Sequence, residues 1–167
     1  MTFKHIEQVK VNEIFSLCRE FRYKLEIEHL ENHGTKTVCI IMQNPSIANA
    51  KVADKSVQFL EKLIFQKEYS EFLDVKKIII VNQFAYVQTK SFNGLREHIG
   101  SENDEHIREA CDKADIILIA WGVSNSFNDR KEAINSIIES FDNKLLLQTK
   151  KHPSRGYYDN FIELYNI

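Results

Sequence analysis

The chain has 167 residues, 43% hydrophobic and 28% charged, which is enough apolar material for one domain spanning residues 1–167 and too much for a disordered chain. A net charge of −2 excludes a protein that coats nucleic acid by charge alone, although Lys51 and Lys55, and further on Lys150, Lys151 and Arg155, form local basic groups. Cys18, Cys39 and Cys111 fit neither a disulfide frame nor a metal motif and read as reduced thiols, Cys18 and Cys39 within apolar patterns. With no signal-like pattern and no apolar run of membrane-spanning length, the sequence points to a cytoplasmic protein with no membrane partner.

In chain order, the spacing of Val9, Val11, Ile14, Phe15, Leu17 and Cys18 predicts a helix over Ile6–Phe21. Tyr23, Leu25 and Ile27 alternate and predict a strand over Tyr23–Leu30; His33-Gly34 then turns the chain into a buried strand at Thr37–Met42. Val57, Phe59, Leu60, Leu63 and Ile64 share one face of a helix over Lys55–Phe65. Val75–Val81 is dense in β-branched residues and reads as a central strand. Thr89–Ser101 is loop-like, after which Asn103 or Asp104 can cap a helix to about Lys113. Ile116–Trp121 reads as a strand, Asp129–Phe141 as a helix, Leu145–Gln148 as a strand and Tyr158–Tyr165 as a final helix. This alternation predicts an α/β fold, a three-layer α/β/α sandwich around a mostly parallel sheet.

Polar clusters follow these strands: Met42-Gln43-Asn44-Pro45-Ser46, Asn82, Trp121-Gly122 and His152-Pro153-Ser154. The C-terminal edge of an open sheet is where ligands bind. Amides, hydroxyls, an indole and a histidine at that edge suit a planar polar ligand such as a base better than a metal ion, and no metal or cofactor is expected. Each residue has two readings. Pro45 stiffens a turn in which Asn44 and Ser46 either face a ligand or bond their own backbone. Asn82 either reads a base edge or caps a loop. Trp121 is a core ring or a stacking surface, and Gly122 can open backbone amides near a helix N-terminus. His152 can donate to an oxygen that gains charge during bond cleavage, whereas His5, His33, His98 and His106 read as solvated. Asp54 either activates a water or caps the following helix, the cap being favoured. No Gly-rich phosphate loop, GxSxG elbow, HExxH or CxxC is present.

Taken in order, these clusters resemble the uracil-DNA glycosylase superfamily. Gln43-Asn44-Pro45-Ser46 is similar to its GQDPYH or GINPG motif, with Asn where the most active enzymes have Asp. Ile80-Val81-Asn82 resembles the strand that ends in the base-reading Asn, and Ile119-Ala120-Trp121-Gly122 the Leu-Trp-Gly element. Leu146-Leu147-Gln148-Thr149-Lys150-Lys151-His152-Pro153-Ser154 resembles VLQTAHPS. The chain is also identified as a member of the domain-of-unknown-function 1643 family, a bacterial and phage group, through Asn44-Pro45-Ser46, Ala48, Asp54, Asn82, Asn103-Asp104, Trp121-Gly122 and His152-Pro153, a pattern covering Phe21–Tyr158. That family brings no activity with it, so the expected chemistry follows from the first resemblance.

The first resemblance implies a glycosylase-like fold and a flipped base. His152 would donate to the departing base oxygen, Asn82 would pair with the base edge, and Asn44 would hold water with weaker activation than Asp gives. Asp54 would be a substitute base, and Phe59 or Tyr86 a stacking ring. Gln43, Trp121 and Gly122 would complete the ligand surface, backbone amides near Ser46 and Ser154 would meet phosphates, and Arg155 or Tyr157 would fill the gap in the helix. Ser46 in place of a Tyr implies a roomier pocket, for a larger or modified base. Three functions stay open at this point. One is an N-glycosidic hydrolase of DNA-repair type, acting on a base in DNA or in a nucleotide. The second is a non-catalytic pocket for a nucleotide or nucleotide-derived signal in a phage, mobile-element or bacterial-defence setting. The third is an interaction module with a relict fold. The sequence leaves the oligomeric state open.

Overall fold

The structure is a computed structural model that describes residues 1–167. Its strands in chain order are β1 (Val9–Phe15), β2 (Arg22–His29), β3 (Lys36–Met42), β4 (Val75–Asn82), β5 (Ile116–Ile119), β6 (Leu145–Thr149) and β7 (Ile162–Leu164), and its helices are α1 (Lys55–Gln66), α2 (Asn103–Lys113) and α3 (Asn128–Glu139). The strands form one sheet in the order β1-β2-β4-β3-β5-β6-β7. Its middle, β4-β3-β5-β6, is parallel, because α1, α2 and α3 each connect one strand of that group to the next in chain order. Strands buried on both faces need no polar alternation, which accounts for the unbroken aliphatic runs.

The period of two along each strand divides the core. Val38, Ile40, Ile78, Ile80 and Leu118 pack with Val57, Leu60, Leu63 and Ile64 of α1 on one face. Cys39, Ile41, Ile79, Val81, Ile117 and Ile119 pack on the other with Ile107, Ala110 and Cys111 of α2 and Ile134, Ile137 and Ile138 of α3. The Asp54 side chain accepts from Val57 N–H at 2.9 Å and starts α1 directly after the β3 loop.

Four expectations are corrected. The sheet is mixed, not mostly parallel: β1, β2 and β7 add antiparallel pairings at its two sides. The helix expected over Ile6–Phe21 is β1 followed by a hairpin turn. Val9 and Val11 alternate onto the α1-side core, and pairing with β2 along the whole strand outweighs the helical spacing. Leu17 and Cys18 extended that spacing but lie exposed in the turn, where Arg19 adopts φ 61°. The helix expected near Tyr158–Tyr165 is β7, whose residues pair antiparallel with β6 behind buried Phe161. A short apolar run does not separate the two periods, and here the open side of β6 decides. Three of the histidines read as solvated are not: His5 binds the fully buried Glu61, His106 stacks on Tyr23 at 4.7 Å, and His98 stacks on Tyr86 at 4.6 Å.

Candidate functional site

The C-terminal ends of β3, β4, β5 and β6 open into a cleft with two lobes. One, of about 580 Å³, is lined by Gln43, Phe92, Trp121, Ser124, Asn125, Phe127, Lys151, His152, Ser154 and Arg155 among others. The other, of about 790 Å³, is lined by Met42, Gln43, Asn44, Ser46, Asp54, Lys55, Phe92, His152 and Ser154 among others. Gln43, Phe92, His152 and Ser154 line both. Asp54 is the single carboxylate on either wall.

His152 is placed by two close approaches. Gly122, at φ 88°, lies against it; a Cβ there would stand 3.1 Å from the His152 Cβ. The 3-10 turn Pro153–Arg155 then seats on α1 through Gly156, where a Cβ would collide with the Phe59 ring. Ser154 N–H donates to His152 Nδ1 at 3.2 Å, with Ser154 Oγ at 2.8 Å from the same nitrogen. A nitrogen that accepts from a backbone amide carries no proton, so the neutral ring keeps its proton on Nε2. Burial lowers the His152 pKa; Asp54 pulls it back and Arg155 pushes it further down. Beside this wall Arg22 is buried, with Nη1 donating to Ala48 O at 2.7 Å. Burial pushes its pKa down to about 10 against the pull of Asp54 and Glu13.

The floor is a chain of carboxamides. Asn44 Nδ2 donates to Gln88 O at 2.7 Å and Pro45 O at 3.2 Å. Gln43 Nε2 donates to Asn44 Oδ1 at 3.2 Å, and Asn125 Nδ2 donates to Gln43 Oε1 at 3.1 Å and Gln83 Oε1 at 2.7 Å. Behind it, Arg130 Nε donates to Gln83 O at 2.8 Å while its two terminal nitrogens grip the Asp104 carboxylate. Asn103 Nδ2 donates to Asn82 O and Gln83 O. The Asn103-Asp104 pair therefore braces the bend after β4; Glu102 holds the cap position of α2.

The expected site residues divide accordingly. Gln43, Asn44, Ser46, Asp54, Trp121, His152, Ser154 and Arg155 all line the cleft. Ser46 Oγ meets Thr89 Oγ1 at 3.2 Å. Trp121 is also a core ring, packed among α3 residues with its edge toward Tyr165. Asn82 does not reach the cleft wall: it is 1% exposed and neither side-chain polar atom has a partner within the protein. Phe59 is packed between Tyr158 and Phe161, and Tyr86 is stacked on His98, so neither of the expected stacking rings faces the cleft. Phe92 does, held edge-on by Phe84 and Phe127. Phe92 and Asn125 are among the lining residues that sequence reasoning missed, with Ser124 and Phe127; the polar run Ser124-Asn125-Ser126 after Trp121-Gly122 was the available signal.

No group of three or more His, Cys, Asp or Glu side chains is placed to hold a metal ion, and no helix is long and apolar enough to cross a membrane. No curated protein and no solved structure matches the chain. The model of the family described as Protein of unknown function (DUF1643) matches residues 22–155, from the buried arginine of β2 to the turn after His152, and the chain belongs to that family.

Proposed function

We propose that the cleft binds a nucleotide and that the chain is a DNA-glycosylase-like hydrolase, on a three-layer fold of the uracil-DNA glycosylase type, that cleaves the N-glycosidic bond of a base in DNA or in a nucleotide. The observation that carries this reading is the placement of His152 on both lobes of the cleft, pinned by Ser154 N–H through Nδ1 so that Nε2 is the nitrogen left to donate. A base departing with negative charge on oxygen gains more from such a fixed donor than the intact base does, and that difference lowers the barrier. Asp54 supplies the carboxylate of the same cleft, with one oxygen capping α1 and the other left to orient water. Phe92 offers the stacking face.

The test is mass-spectrometric detection of free base after incubation with modified and unmodified DNA and with a nucleotide extract. Wild type is expected to release a free base. His152→Ala is expected to slow release by about 10²–10³-fold while binding survives. Asp54→Asn, which keeps the helix cap, isolates the contribution of the charge. Release unchanged in His152→Ala would sink the mechanism. Retention of an intact nucleotide with no release would select the second reading, a non-catalytic pocket for a nucleotide or nucleotide signal of phage, mobile-element or defence origin. One observation favours that second reading: the Asn44 amide, at the position of the water-activating motif, is engaged on both of its polar atoms.

A further inference from the structure

We infer that Gln43 is the side chain that discriminates among bases in this cleft, and that Asn125 and Asn44 are positioning residues that fix which way its amide points. The inference rests on the nucleotide-binding reading above.

A carboxamide can turn its oxygen and nitrogen end for end unless its neighbours forbid it. Here two backbone anchors forbid it independently. Phe127 N–H, which can only donate, points at Asn125 Oδ1 at 3.1 Å. That sets Asn125 Nδ2 toward Gln43, so the Gln43 atom facing it must be the acceptor Oε1. From the other side, Asn44 Nδ2 faces two carbonyl oxygens, Gln88 O and Pro45 O, which can only accept. That sets Asn44 Oδ1 toward Gln43, so the Gln43 atom facing it must be the donor Nε2. Both chains of reasoning give the same orientation.

These bonds use one of the two Nε2 protons and one of the two Oε1 lone pairs. Gln43 therefore keeps one donor and one acceptor, side by side and in fixed order, on a half-buried side chain that lines both lobes. A fixed donor–acceptor pair tells a keto edge from an amino edge, because exchanging the two on the ligand sets donor against donor. Asn82, the amide that the strand-end pattern put forward for this task, is sealed beneath the surface.

The probes are the 5′-monophosphates of uridine and cytidine, and of inosine and adenosine, two pairs that differ by the same keto-for-amino exchange. Their dissociation constants are measured by calorimetry against wild type and two variants. Wild type is expected to prefer one member of at least one pair by about tenfold or more. Gln43→Glu replaces the donor by an acceptor and is expected to move the ratio toward the member that wild type disfavours. Asn125→Ala leaves the chemistry of Gln43 in place but removes one of its two anchors; binding is expected to persist with the keto–amino ratio reduced, because the single bond to Asn44 holds the amide less firmly. A role for Asn125 in folding alone would weaken both members equally and leave the ratio unchanged, which overturns the inference while the nucleotide reading stands. Wild-type binding of every probe with no preference within either pair overturns it too. Binding of none of the four by wild type overturns the inference, and release of a base from DNA in the preceding assay would then show that the reading on which it rests survives.

Discussion

Two carboxamides stand at neighbouring strand ends and have opposite surroundings. Gln43 follows Met42 at the end of β3, and Met42 pairs in register with Asn82, the last residue of β4. The Gln43 amide is half-buried at the cleft and bonded on both sides; the Asn82 amide is fully buried with no partner in the protein. The difference shows that strand-end position alone does not make a reading amide. A side chain presents a donor and an acceptor usefully only if it reaches the ligand and if its neighbours hold it in one orientation. A buried amide left unpaired instead carries a desolvation cost of about 1–3 kcal/mol.

The change expected to disturb this contrast most is Asn44→Asp. Here one carboxylate oxygen would face Gln88 O and Pro45 O, two acceptors with no proton to offer. The substitution is expected to destabilise the fold by about 3 kcal/mol near neutral pH, seen as a fall in the urea midpoint. The sign with pH follows: the introduced carboxyl can donate to the carbonyls once it is protonated, so its pKa is raised in the folded state and the loss shrinks as pH falls. Stability equal to wild type at pH 7 would show that the turn re-forms around the charge and would release Asn44 from its role as an anchor.

Asn82→Leu examines the other amide. Removing an unpaired buried polar group in favour of an apolar one of similar volume is expected to leave stability within about 1 kcal/mol of wild type or to raise it. Thermal unfolding measures it. A loss well beyond that would mean that the amide is satisfied in solution and that Asn82 belongs to the polar site after all.

How much of this arrangement could be read in advance depends on the kind of pattern that carries it. The parallel middle of the sheet was legible because Val38–Ile41, Ile78–Val81 and Ile116–Ile119 are aliphatic runs too dense for an exposed strand, each followed by a polar cluster. The Asp54 cap was legible from one residue before an amphipathic run. The two ends of the chain were not, because β1 and β7 owe their form to hydrogen bonds with the neighbouring strands β2 and β6, which the apolar period of the segment itself does not encode. The cleft was legible as a set of strand ends, but its occupants only in part. Asn125 and Phe92 lie in loops with no period at all, and the sealing of Asn82 is a matter of tertiary packing.

The smallest expected effect concerns two histidines that repeat the contrast between the amides. Both nitrogens of the His5 ring face acceptors, the buried Glu61 carboxylate and Asn49 O, so the ring needs both its protons. His152 faces a donor with Nδ1 and needs only one. Burial works against charge at His5, but the bonds to Glu61 and Asn49 outweigh it and raise the pKa above 6.5. Its contribution to stability is therefore complete below 6.5 and is lost as pH rises through the raised value. At His152 burial lowers the pKa, so its contribution is complete above 6.5 and is lost as pH falls toward the lowered value. His106, lowered by burial and by Lys24, adds to the same acid-side loss. Denaturant midpoints between pH 5 and 8 are thus expected to fall away on both sides. His5→Gln should remove the alkaline slope and leave the acid one; His152→Gln should lessen the acid slope and leave the alkaline one. An alkaline slope that persists in His5→Gln would assign it to another group, and the first residues of the chain would then be held to α1 by packing and neutral hydrogen bonds in place of a charged pair.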